Sequence, residues 1–149
     1  MSPQEARRAL AEAAEGREIV ARRAVAPWWY HVGLGLSLCW AFATVSIGWG
    51  WIPYGVITGL LVVPLLLNLA ANHVTGISLD RYTATPGARR ISVRASVALP
   101  VLIVVGLAAE WGAGLRGSMA VCGLVMLVVT VLAGRRVDAV LARELGRPA

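Results

Sequence analysis

The sequence predicts an all-α membrane protein: four transmembrane helices in two antiparallel hairpins, an N-terminal cytoplasmic helix, and a C-terminal helical extension of the last span. Three observations predict it. Hydrophobic residues make up 58% of the chain, and mean hydropathy is +0.70, more than a soluble surface tolerates. Four apolar runs each come close to the roughly 20 residues that cross a bilayer. Thirteen of the fourteen arginines fall before the first run, between the second and third, or after the fourth. Alternate connections are therefore basic, as in a bundle whose chain crosses the membrane an even number of times.

Residues 1–26 read as a helix outside the membrane. Ser2 with Glu5 makes a capping box and Pro3 suits the first helical position. Alanine dominates, Glu18 and Arg22 are an i,i+4 pair, and the apolar face is too thin to hold a membrane surface. With this charged stretch ahead of it, the first apolar run is expected to act as an uncleaved anchor. Trp28, Trp29 and Tyr30 form an interfacial aromatic cluster, and the first span covers about 29–48. Its Gly33, Ser37 and Ala41 recur every fourth residue, a small-residue stripe that admits a close neighbour. A tight turn rich in tryptophan and glycine leads to span two, about 52–74, where Gly55 and Gly59 form a GxxxG and Pro64 predicts a kink.

The loop at 75–94 is the only long polar stretch between spans. Thr85-Pro86-Gly87 reads as a turn, and the alternation of Ile77 and Leu79 with Ile91 and Val93 fits a short hairpin. Span three runs from about 93 to 111, with Pro100 inside it and Glu110 at its far end, where solvation is expected. Span four, about 118–134, again has a small-residue face at Ser118, Cys122 and Gly123. In the tail, 135–149, Val137, Val140, Leu141 and Leu145 keep helical spacing. The two halves share one weak correspondence: Trp49-Gly50 and Gly55 match Trp111-Gly112 and Gly117 at a constant offset. The chain is thus a single membrane domain over 1–149. Both termini and the central loop are expected in the cytoplasm, with only Arg116 outside, and the membrane is the plasma (inner) membrane of a bacterium.

Composition narrows function more than motifs do. The basic balance is wholly arginine, and its grouping beside apolar runs follows topology, which argues against nucleic acid as partner. Cys39 and Cys122 lie inside apolar runs and read as small packing residues, neither a disulfide framework nor a metal motif. There is no C-x-x-C, no acid in the first span, and no P-loop, H-E-x-x-H or G-x-S-x-G. Asp80 and Asp138 read as isolated residues outside the membrane. No catalytic pair can be assembled, so a non-enzyme is expected and no cofactor is predicted.

Three sets of residues remain as candidate sites. His31 and His73 stand at similar depth on neighbouring spans, the arrangement a haem iron or metal shared between two helices requires. Asn68, Asn72 and Thr75 follow Pro64 on one helical face and form a polar stripe for a ligand or for packing. Asp80, Arg81 and Tyr82, with Arg89 and Arg90, are candidate contacts for a protein partner or anionic lipid.

The segments ARRAVAPWWYH, Ala21–His31, and GRRVDAVLAREL, Gly134–Leu145, resemble a loose group of uncharacterised four-helix integral membrane proteins common in actinobacteria. That group carries no established activity, so the resemblance implies no site residues; it makes an accessory or regulatory role natural. The expected function is therefore a non-enzymatic accessory, scaffold or regulatory subunit. It would act through cytoplasmic contacts and small-residue helix faces, with a protein partner or a second copy of itself in the bilayer. A small oligomeric transporter or channel is the alternative, and a haem- or metal-binding protein the third.

Overall fold

A computed structural model of the protein describes residues 2–76, 83 and 85–145, and all regular structure among them is helical. Helix α1 spans Pro3–Ala24, α2 Trp28–Ile47, α3 Trp49–Thr75, α4 Pro86–Gly112 and α5 Ser118–Leu145. The last four are long and apolar enough to cross a membrane. The 20 residues of α2 give about 30 Å of rise, the thickness of the hydrocarbon. The 28 residues of α5 are about 12 Å longer than that, and α5 runs unbroken through Arg135 and Arg136 as its spacing predicts.

Local signals build several of the helix ends. The capping box of α1 is present: Glu5 N–H donates to Ser2 Oγ at 3.2 Å and Ser2 N–H to Glu5 Oε2 at 2.6 Å. Thr85 is a second cap. Its backbone is extended, its hydroxyl accepts from Ala88 N–H at 3.3 Å, and Pro86 begins the helix. This corrects the turn expected at Thr85-Pro86-Gly87 and the hairpin arm at Ile91 and Val93. A threonine cap ahead of proline starts a helix here, so Arg89, Arg90 and Arg94 stand on the first turns of α4. Gly76, in the left-handed region at φ 66°, closes α3.

Within α3 the register opens into a π-helix over Val56–Val62, where Val63 N–H reaches back five residues to Thr58. Pro64 follows directly. Its ring cannot coexist with an ordinary α-turn above it, and the widened turn takes up the misfit. A second π-turn, Ala108–Gly112, ends α4.

The packing centres on α2 and α5, which make the most extensive contact; α3 lies on α2, and α4 and α1 lie on α5. Small residues let the backbones approach. A methyl group added at Gly35 would lie 3.1 Å from the Leu127 carbonyl, and one at Gly123 would lie 3.0 Å from the Cys39 carbonyl. The two glycines of the GxxxG face inward on α2, Gly55 against Thr44 and Gly59 against Ser37 and Ala41. Phe42, Met119, Cys122 and Met126 form the main buried cluster, with Leu99 and Ile103 of α4 packed on it. Tyr30 and Ala71 hold α2 to α3, and Ala88, Val137 and Leu141 hold α4 to α5. No comparable contact joins α3 to α4, which leaves a cleft between them.

Candidate functional site

The most buried polar pair joins α2 to α5. His31 opens the second turn of α2, and Asp138 lies four residues past Gly134 on α5. His31 Nε2 and Asp138 Oδ2 are 2.6 Å apart, with both side chains nearly excluded from solvent. A carboxylate can only accept, so the imidazole N–H donates. Asp138 Oδ1 accepts in turn from Ala26 N–H at 3.3 Å, which ties in the link between α1 and α2. Gly134 makes the pair sterically possible: the imidazole lies over its Cα, where any side chain would meet the ring. His31 Nδ1 is buried there without a partner, as is Thr130 Oγ1 one turn earlier on α5. A cavity of about 370 Å³ beside the pair is lined by Trp28, Val32, Val131 and Arg135. Chemically the arrangement is a latch between helices, an acceptor and a donor removed from water together.

Asp138 is therefore not isolated, contrary to the sequence reading. The tail continues α5 as a helix, and that rotation brings Asp138 onto the His31 face. The signal available in the sequence was the four-residue row Thr130, Gly134, Asp138, a small residue flanked by polar ones. His73, by contrast, is exposed near the end of α3. His31 thus meets Asp138, and no group of three or more potential metal ligands occurs among the described residues.

A second polar cluster closes the other end of the bundle and corrects the expectation for Glu110. This carboxylate is buried rather than solvated. It accepts from Ser46 Oγ at 3.0 Å, and from the backbone N–H groups of Gly117 and Met119, each at 3.0 Å. The Ser118 hydroxyl lies 3.1 Å from it and 3.2 Å from the Gly106 carbonyl, and shares its one hydrogen between them. Ser46 also accepts from Ala120 N–H at 3.3 Å. Glu110 and Ser46 thus satisfy the unpaired N–H groups that begin α5, where the helix dipole favours negative charge. The π-turn at Ala108–Gly112 accompanies this inward placement. Beside it, Trp49 and Trp111 stack with centroids 4.9 Å apart. These two residues match at the offset noted in the sequence, and their contact joins the start of α3 to the end of α4.

The remaining sequence candidates lie on α3 and at the start of α4. Asn68 is exposed on α3, Asn72 is half-buried, and the Thr75 hydroxyl donates to the Ala71 carbonyl at 2.8 Å. Arg89 and Arg90 are exposed on α4 and, with Arg94, Thr83 and Thr85, line a recess of about 520 Å³. None of these arginines has an acidic partner among the described residues. Asp80, Arg81 and Tyr82 lie outside the described residues. Comparison with protein-family models, with curated proteins and with solved structures finds no match to this chain.

Proposed function

We propose that the chain is a non-enzymatic multi-pass protein of the plasma membrane that works through contacts, as an accessory, scaffold or regulatory subunit. Its helices form two antiparallel hairpins with both termini and the α3–α4 connection on the cytoplasmic side. The order of contacts supports the hairpins. Gly55, Gly59 and Leu67 of α3 meet Thr44, Ala41 and Gly33 of α2 in reversed sequence order, and Gly106 and Gly87 of α4 meet Met119 and Val140 of α5 in the same way. The one-sided arginines support the orientation.

One observation carries the reading. The buried carboxylates Asp138 and Glu110 join helices, whereas Arg89, Arg90 and Arg94 are exposed around a recess and, among the described residues, have no acidic partner. Such guanidinium groups favour an anionic contact at the membrane surface. The test is cross-linking in native membranes followed by mild extraction, with the wild type compared to an Arg89→Gln/Arg90→Gln/Arg94→Gln variant. An assembly larger than the monomer, lost in the variant, is expected; a wild type recovered alone sinks the reading.

A small oligomeric transporter is the second reading, favoured by the exposed Asn68 carboxamide on a membrane-spanning helix. Flux into proteoliposomes that Asn68→Ala abolishes would establish it, and no flux would remove it.

A further inference from the structure

Three recesses of the structure run in series. The arginine recess at the start of α4 and an apolar cavity of about 410 Å³ between α2, α4 and α5 share Val93 as lining. That cavity shares Leu99 with a third, of about 290 Å³, that opens between α3 and α4. The third is lined on the α3 side by Val56 and Leu60 and ends at the stacked Trp49 and Trp111. Side by side along α4, the three make a track of adjoining recesses between the basic surface and the Trp49–Trp111 stack. From Val93 to Leu107 it rises about 21 Å, somewhat more than half the thickness of the hydrocarbon.

Polarity along the track is graded. Three guanidinium groups stand at its mouth. Ser92 and Ser96 line the next section; their hydroxyls donate to their own helix at 2.9 Å and leave oxygen lone pairs free. On α3 Leu60, Pro64, Asn68 and Asn72 recur every fourth residue, and Leu60 lines the third recess. Beyond Leu99 the lining is aliphatic and aromatic.

We infer that this track binds one anionic phospholipid of the cytoplasmic leaflet. Its phosphate lies among Arg89, Arg90 and Arg94, its glycerol and ester groups lie beside Ser92 and Ser96, and an acyl chain follows Leu99 toward Leu107. Charge complementarity selects the head, and the apolar lining of the two inner recesses selects a long chain over a free anion. The inference rests on the reading of the arginine face as a contact surface and names what that face holds.

Native mass spectrometry of delipidated full-length protein tests it, with phosphatidylglycerol and phosphatidylcholine of equal chain length offered together. The wild type is expected to retain one phosphatidylglycerol per chain with a preference of at least about tenfold, since each basic residue at the surface contributes about 1 kcal/mol. Arg89→Gln/Arg90→Gln/Arg94→Gln abolishes the preference. Val93→Trp, an exposed position at the join of the first two recesses, lowers retention of both lipids with the arginines intact. Equal retention of the two lipids by the wild type overturns the inference, as does a preference that survives the triple substitution. Displacement of the lipid by millimolar inorganic phosphate also overturns it, since that marks an anion site without a track. If the lipid preference is absent while a cross-linked protein is still lost in the triple variant, the lipid inference fails and the contact reading stands.

Discussion

Asp138 and His31 lie 107 positions apart, and each is the other's only side-chain hydrogen-bond partner among the described residues. Removing one member of a buried pair strands the other, a loss of about 3 kcal/mol or more where both are shielded from water. Asp138→Ala should therefore lower the unfolding free energy in detergent by about 3 kcal/mol, read from the shift of a denaturant midpoint; an unchanged midpoint would show the latch contributes nothing. Gly134→Ala tests the same contact from below. The added methyl meets the imidazole, so a loss of about 1–3 kcal/mol is expected from overpacking. The double variant Gly134→Ala/His31→Ala should recover part of it, because the two sites share one space. Gly16 is the control, since a methyl there meets open space. Gly16→Ala should instead stabilise α1 by up to about 1 kcal/mol. A glycine motif was legible in the sequence, but not which glycines face a ring and which face water.

At the scale of the element, the two π-turns and the two kinds of helix start divide what is local from what is not. Ser2 and Thr85 cap their helices with their own side chains, within three residues, and such signals can be read directly from sequence. The start of α5 is capped from another helix, by Glu110 at the end of α4 and Ser46 of α2. No local pattern announces it. Replacing Glu110 with alanine should speed hydrogen exchange of the Gly117 and Met119 amides while amides in the middle of α5 keep their protection. Uniform exchange across α5 before and after the change would rule out a capping role. The Thr85 cap was misread as a turn because Pro and Gly signal turns and helix starts alike; the threonine hydroxyl on Ala88 N–H decided between them.

At the scale of the whole molecule, orientation is the boldest consequence of the arginine distribution. With Cys39 and Cys122 replaced by alanine, single cysteines at Ser2 and at Arg116 should behave oppositely toward a membrane-impermeant maleimide applied to intact cells. The Arg116 position reacts and the Ser2 position reacts only after permeabilisation; the reverse pattern would invert the topology. The order of contact, with α2 and α5 inside and α3 and α4 on the flanks, also gives the cleft its place. Helices α3 and α4 are consecutive in sequence, joined by the polar loop, and yet make no extensive contact with each other. Hydropathy is blind to that separation, because a helix facing lipid and a helix facing another helix have the same apolar composition in a bilayer.

The sequence by itself determined the number of spans, their approximate limits and the clustering of positive charge, because each depends on composition within a stretch of about 20 residues. It also determined the cap at Ser2 and the unbroken run of α5 past Arg136. Tertiary structure decided the rotation of each helix about its axis. That rotation turned Asp138 onto His31, brought Glu110 under the first turn of α5, and buried Gly55 and Gly59 against α2. The physical reason is that polar groups inside a membrane protein need partners, and those of Asp138 and Glu110 lie on other helices. Which helix supplies the partner is fixed by packing between small residues, a property of surfaces that meet and not of any one stretch of chain.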